Sequence, residues 1–401
     1  MSQYNLYLSN DDGSGEVGIW FINNELRIIF PKNYSYNNLN LYNDLYLLSS
    51  CLEKYFKISS QNNVNTNAIK DFSIEGQKEF SFISYFNIIN QYIENGYYHE
   101  IINSIETNGK GNINFVKTIN KFSPFIINDN CLFMDHITNS KKISLDNALT
   151  DIHRYVVEQS FKVVGCFYPQ IEYDINCFLP FSTEDCINFL QQTILETFND
   201  EKRLFFETLL SFFKIKKVDE SNITFYSSKK FDSIWEVMLR DLLGNVDISN
   251  FYFNSYWNLS NTTKTNTPSR PDIVHINLEN TLTKSYIIDA KYFTYSPSNT
   301  KGTLPGTSDI NKQILYKHYV ENVVPKNYIS DNYEYMNCFI LPCESSNDKV
   351  NYLGYAISDF NTTEKVHAFS VDIKYVMYNY ININQKYSFS KFIFNFIDNY
   401  I

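Results

Sequence analysis

The sequence predicts an α/β protein: a mixed sheet flanked by helices in the second half, preceded by a mixed α+β amino-terminal region. Three observations predict it. After residue 230 the apolar pattern runs from helix to two strands, to a helix, and on to further strands. Hydrophobic residues make up 44% of the 401 residues, enough to bury a sizeable core and to exclude wholesale disorder. Glycines number only 12 and no fixed period recurs, which excludes collagen-like and simple repeat architectures.

The elements follow in order. Residues 1–35 read as short strands around the turn-rich SNDDGSGEVG, with the apolar runs GIWFI and LRIIF separated by a turn at Asn23-Asn24. Residues 38–58 carry apolar side chains at helical intervals, 59–67 form a polar loop, and 80–95 form a helix stopped by Gly96. GKGNINFVKTI at 109–119 reads as a turn entering a strand, and 144–165 and 181–213 read as helices. Composition changes across 214–230, dividing the chain into 1–215, a targeting or docking region, and 216–401. In the second part, 231–244 is a helix ended by Gly244, and 258–269 is a polar loop. Residues 271–276 and 285–293 are strands joined by a turn, and 308–323 is a helix with Ser308 as its cap. Strands at 336–342, 352–357 and 365–373 and a helix at 389–400 complete the order.

Lys and Arg number 34 against 44 Asp and Glu, a formal net charge of -10. This argues against a protein that coats nucleic acid through bulk positive charge, but leaves room for one local basic surface. No run reaches the roughly 18 apolar residues of a membrane span, and the amino terminus lacks the basic-then-apolar order of a signal peptide. A soluble cytoplasmic protein without membrane association is therefore expected. Seven widely spread cysteines contain no C-x-x-C, so buried free thiols are expected rather than disulfides or a zinc site.

Chemistry concentrates around the two central strands. Asp272 opens one; Asp289 and Lys291 close the other. Residues i and i+2 of a strand share a face, so Asp289 and Lys291 can share a site, and a hairpin would bring Asp272 to the same end. Two carboxylates suit a hard divalent cation such as Mg²⁺, with the Ala290 carbonyl as a third ligand and Glu236, on the preceding helix, as a fourth. The cation would activate water and neutralise phosphodiester charge, while the lysine orients the attack. Charged strand ends are also common on solvated surfaces, and spacing by itself does not separate the two readings.

At these residues the chain resembles a known family. Pro271-Asp272 followed by Asp289-Ala290-Lys291 resembles the PD-(D/E)xK nuclease signature. The longer text RPDIVHI…YIIDAKYF…LPGTSDINKQILYKHY is similar to LlaJI-type restriction endonucleases, related to McrC nuclease subunits. The resemblance implies a restriction-endonuclease-like fold for the second half. It implies Asp272 and Asp289 as metal ligands, Lys291 as the catalytic lysine, and Glu236 as the acidic residue of the preceding helix. Gln313 and Tyr316 resemble the Gln and Tyr of the following helix, although the gap is Q-x-x-Y here and Q-x-x-x-Y in related nucleases. Gln313 is expected at metal-bound water or DNA backbone, or as a polar surface residue. Lys264, Arg270 and Tyr316 are the expected phosphate contacts.

The implied activity is Mg²⁺-dependent hydrolysis of double-stranded DNA in restriction of foreign DNA, as a type II or McrBC-like enzyme. The implied partner is a McrB-like AAA+ GTPase, since this chain contains no G-x-x-x-x-G-K-[ST]. A non-catalytic DNA- or partner-binding subunit and an RNA nuclease are the alternatives. Assembly of two copies is left open.

Overall fold

The computed structural model describes residues 3–8, 16–23, 25–37, 41–61, 82–127, 130–145, 147–215, 222–228, 230–260, 262–266, 268–279, 281–328, 330–344 and 348–400. These fall into two units: residues 4–76 with 221–401, and residues 77–220 with 1–3. The division departs from the contiguous 1–215 and 216–401 split expected from composition. One junction falls near the composition change, but residues 4–76 belong with the carboxy-terminal unit. Long-range strand pairing, invisible to composition, is the reason.

The chain begins with β1 (Gln3–Leu8), β2 (Val17–Ile22) and β3 (Glu25–Phe30), followed by α1 (Leu41–Gln61). β2 and β3 pair antiparallel across a turn where Asn23 has φ 51°; Asn24, its expected partner, lies outside the described residues. So do most of SNDDGSGEVG and residues 62–67 of the expected polar loop, whose residues 59–61 are helical. Leu48, Cys51, Leu52 and Tyr55 form the buried stripe of α1, at the i, i+3, i+4, i+7 spacing that defines one helical face.

The unit of residues 77–220 holds α2 (Phe82–Asn95), β4 (Glu100–Thr107), β5 (Asn112–Ile113), α3 (Phe115–Lys121), β6 (Phe125–Ile127), β7 (Asn130–Leu132), β8 (Ile137–Ser144), α4 (Ala148–Val164), α5 (Thr183–Glu196) and α6 (Asp200–Ile215). Gly96, at φ +70°, follows α2 as expected. Two expectations are corrected. Residues 109–119 give a two-residue strand and then α3, because the Asn114 side chain accepts the Lys117 N–H (3.1 Å) and caps a helix. The single helix over 181–213 is two helices: Thr197 is extended and Asn199 accepts the Lys202 N–H (2.9 Å), starting α6.

The remaining elements are β9 (Asn222–Ser228), α7 (Phe231–Leu243), β10 (Tyr256–Asn258), β11 (Thr263–Thr265), β12 (Ile273–Glu279), β13 (Leu282–Ala290), α8 (Thr307–Asn327), β14 (Asn332–Cys343), β15 (Val350–Ser358), β16 (Asn361–Asp372), α9 (Ile373–Ile381) and α10 (Lys386–Asp398). β9 completes a four-stranded sheet, β1-β3-β2-β9, which ties the amino-terminal strands to this unit. Neither β9 nor α9 was expected. The polar stretch 258–269 contains β11, which pairs with β10 in a short exposed hairpin.

The central sheet has the order β12-β13-β14-β16-β15. β12 and β13 are antiparallel, β13–β14 and β14–β16 are parallel, and β15–β16 is antiparallel. α8 lies across it: Tyr316, Val320 and Val324 pack with Val274, Ile276 and Ile287, and Ile314 packs with Phe339, Leu341 and Val366. α7 packs against β12 and β13 with the buried Trp235. This is the expected α/β class, a mixed sheet flanked by helices. No disulfide joins the described cysteines, and Cys51, Cys186, Cys338 and Cys343 are buried thiols. Among the described residues no helix is long and apolar enough to cross a membrane.

Candidate active site

The site is set by the β12–β13 hairpin. Ile273 pairs with Ile288, so Asp272, one residue before β12, sits beside Asp289, one residue further along β13. Ile287 and Ile288 are fully buried, each contributing roughly 2 kcal/mol of burial, and fix the strand just before its charged end. Asp272 Oδ2 accepts the Ala290 N–H at 2.9 Å, closing the hairpin end. Lys291 follows directly, its N–H donating to the Ile340 carbonyl at 3.0 Å and extending the β13–β14 ladder.

Lys291 Nζ lies 2.8 Å from Asp289 Oδ2 and 2.9 Å from Asp309 Oδ1. Asp309 stands in the first turn of α8, and its other oxygen accepts the Gly306 N–H at 3.3 Å. Gly306, with Asp309 as the capping carboxylate, therefore caps the helix, and the expected Ser308 cap is corrected: the cap lies two residues earlier and the helix starts at Thr307. The loop that returns α8 to the end of β13 needs Gly302, where a Cβ would lie 2.5 Å from the Thr294 and Tyr295 backbone.

Glu236, on α7, is held by its i+4 neighbour Arg240, and Arg270 approaches it at 4.0 Å. Arg240 Nε also donates to the Asp272 carbonyl at 3.0 Å. The Arg270 guanidinium donates to the Tyr252 hydroxyl and lies 5.3 Å from that ring's centroid.

The charges disturb one another. Burial, then the Asp289 and Glu236 charges, push the Asp272 carboxyl well above the usual carboxylate range, against the Ala290 N–H. For Lys291, burial works downward, but the Asp289 and Asp309 carboxylates outweigh it and hold the ammonium above its ordinary value. Burial and the Asp289 and Asp272 charges push the Tyr316 hydroxyl up to about 12, opposed by Lys291 and the Arg270 N–H.

The structure thus brings Asp272, Asp289, Ala290, Lys291 and Glu236 together, with Arg270 and Tyr316 beside them. Gln313 is placed differently. It is fully buried, and its amide donates to the Ile287 and Cys338 carbonyls (3.0 and 3.4 Å), clamping β13 to β14 rather than facing solvent. Tyr316 is 5% exposed and packed in the core, which does not suit an open phosphate contact. Lys264 lies on the exposed β10–β11 hairpin. Sequence reading missed Asp309 and Arg240. An acidic residue in the first turn of the helix after D-x-K, and a basic residue four positions from Glu236, were the available signals.

The donor set fits a hard divalent cation: Asp272 and Asp289 offer carboxylate oxygens, and their mutual repulsion is what a cation would relieve. Glu236 would have to leave Arg240 to join them. Among the described residues, only His318, Glu321 and Glu364 bring three ligand atoms within 4.8 Å of one another. Lys317 already pairs with both of those carboxylates and offsets one of their two charges without a metal.

Fold and site define an α/β protein of nuclease-like architecture whose charged array sits at the end of a core hairpin. The model of the LlaJI restriction endonuclease family matches residues 16–374, and the chain belongs to that family. It is 22% identical over 401 aligned residues to the type II restriction enzyme BsuMI component YdjA of Bacillus subtilis (strain 168), covering 94% of this chain and 82% of that protein. It also superposes loosely, with a TM-score of 0.33 and 14% identity, on a solved chain from the half-complex of Thermococcus gammatolerans McrB AAA+ hexamers with bound McrC. That superposition covers 92% of this chain and 81% of the other.

Proposed function

We propose that this protein is the nuclease of a restriction system and hydrolyses phosphodiester bonds of double-stranded DNA with Mg²⁺, through a PD-(D/E)xK site at the end of β13. The observation that carries this reading is the hairpin register, which puts Asp272 beside Asp289 and leaves Lys291 Nζ 2.8 Å from Asp289. Asp272, Asp289 and, once released from Arg240, Glu236 would hold the cation, with the Ala290 carbonyl as a further ligand. When bound, Mg²⁺ supplies Lewis acidity toward a phosphoryl oxygen. Lys291 orients the attacking water and offsets negative charge developing on the phosphate. Arg270, with its side chain 37% exposed against 29% for Arg240, is the basic group beside the site best placed for a DNA phosphate.

The formal charge of -10 means that this chain grips DNA through such local groups or through another subunit. The relative YdjA is described as a component of its enzyme, which favours further subunits here. A McrB-like AAA+ GTPase is the proposed motor, since this chain contains no G-x-x-x-x-G-K-[ST].

The test is Mg²⁺-dependent digestion of methylated and unmethylated plasmid, with and without the candidate GTPase. Asp289→Ala and Lys291→Ala should each lower the rate by at least about a hundredfold. Full cleavage by both variants rejects the site. Nicked circles as sole product indicate one active copy; linear product indicates paired cuts.

A further inference from the structure

Lys291 has two carboxylate partners, and they differ in what else they do. Asp289 is 8% exposed in its side chain and faces Asp272 across the hairpin end, so it belongs to the proposed cation site. Asp309 is 26% exposed, stands on a different element, and is anchored by the Gly306 N–H at the amino end of α8. The Lys291 ammonium on Asp289 Oδ2 occupies one of the two oxygens open to a cation. A cation and an ammonium both at Asp289 repel each other strongly in this partly buried corner. A cation at Asp289 therefore weakens the hold of Asp289 on Lys291, and a second anion is needed to keep the lysine in the site.

We infer that Asp309 is a positioning residue that takes over Lys291 when a divalent cation binds Asp289, so the lysine yields the metal ligand without leaving the site. The inference rests on the proposed metal site and adds a residue that the PD-(D/E)xK signature does not include. The bond exchange is conservative: one ion pair, Lys291–Asp289, is replaced by a cation–carboxylate contact, while the Lys291–Asp309 pair persists. The geometry is ready for it, since both oxygens already lie within 3 Å of Nζ. Helix α8 supplies a rigid base and a favourable N-terminal field for the Asp309 charge. Gly302 fixes the loop that delivers this base to the end of β13.

The experiment uses the full chain and Mn²⁺ as probe, with free Mn²⁺ counted from its electron paramagnetic resonance signal. Wild type, Asp309→Asn, Asp309→Glu, Lys291→Met and the double variant Lys291→Met/Asp309→Asn are titrated, each checked by circular dichroism melting. Asp309→Asn keeps an acceptor for the Gly306 N–H. It should bind Mn²⁺ at least about tenfold more weakly, the usual scale for residues that support metal ligands, and Asp309→Glu should recover most of the loss. In the Lys291→Met background, the Asp309→Asn change should have little effect, because there is no ammonium left to hold. Equal affinity of wild type and Asp309→Asn overturns the inference while leaving the metal site intact. An undiminished effect of Asp309→Asn in the Lys291→Met background also overturns it, since Asp309 would then act on the cation simply as a nearby charge. Absence of Mn²⁺ binding by the wild type rejects the metal site itself, and this inference with it.

Discussion

At Asp272, burial and the charges of Asp289 and Glu236 act in the same direction, and the Ala290 N–H does not offset them. Its folded pKa is raised above the unfolded value of about 3.9, so the stability this group contributes is present below that pH and lost as pH rises through the folded pKa. Without divalent metal, Asp272→Asn should therefore stabilise the protein at pH 7.5, by about 1 kcal/mol, while removing cleavage. Thermal unfolding across pH in chelator measures this; destabilisation at neutral pH would show that the carboxyls do not repel. The carboxylates and Lys291 were legible because alternation along a strand and hairpin pairing are local rules. Asp309 was not, because its role depends on where the start of α8 falls in space; Arg240 was signalled by its spacing from Glu236, but its bond to the Asp272 carbonyl depends on tertiary packing. Gln313 was misjudged because a polar residue on a helix gives the same sequence signal facing water as facing two buried carbonyls.

At the scale of elements, α4 carries a pH sensitivity of its own. His153 is 1% exposed, its Nδ1 accepts the Tyr98 N–H at 2.9 Å, and it meets Phe205 edge-on at 4.9 Å. Burial lowers its pKa to about 4. A depressed folded pKa means stability that is present above the unfolded value of about 6.5 and lost as pH falls toward the folded one. Urea unfolding should show the unit of residues 77–220 losing about 2 kcal/mol between pH 7.5 and pH 5 through this group. His153→Gln should flatten that slope, and an unchanged slope would assign it to other groups. The elements read best were those with strong periodicity, such as α4, α7 and the β12–β13 hairpin. The helix missed at 115–121 and the pair merged over 181–213 were decided by single capping side chains, Asn114 and Asn199, within otherwise continuous helical or polar text.

For the whole molecule, the main departure from the sequence reading is that residues 4–76 belong with the unit that bears the site. The contacts are specific. Lys54 pairs with Asp241 (3.0 Å) and donates to the Tyr380 carbonyl (2.6 Å). Lys374 pairs with Asp44 (2.7 Å), and the Asn33 amide donates to the Pro342 carbonyl (2.9 Å). A fragment of residues 216–401 would lose these partners and expose the apolar surface that α1 covers. It should fail to melt cooperatively in calorimetry, whereas the full chain should do so. A cooperative transition from that fragment would restore the contiguous division. Composition marked one junction, but not the return of the chain to its own beginning, which strand pairing between β2 and β9 decides.

We propose the Asp272, Asp289 and Lys291 array at the end of β13 as the hydrolytic centre. Its most direct test is Mg²⁺-dependent cleavage of plasmid DNA by the complete system, comparing wild type with Asp289→Ala and Lys291→Ala variants of matched melting temperature. Wild type should cleave, and each variant should lose at least about a hundredfold in rate. Cleavage at the wild-type rate by both variants would contradict it.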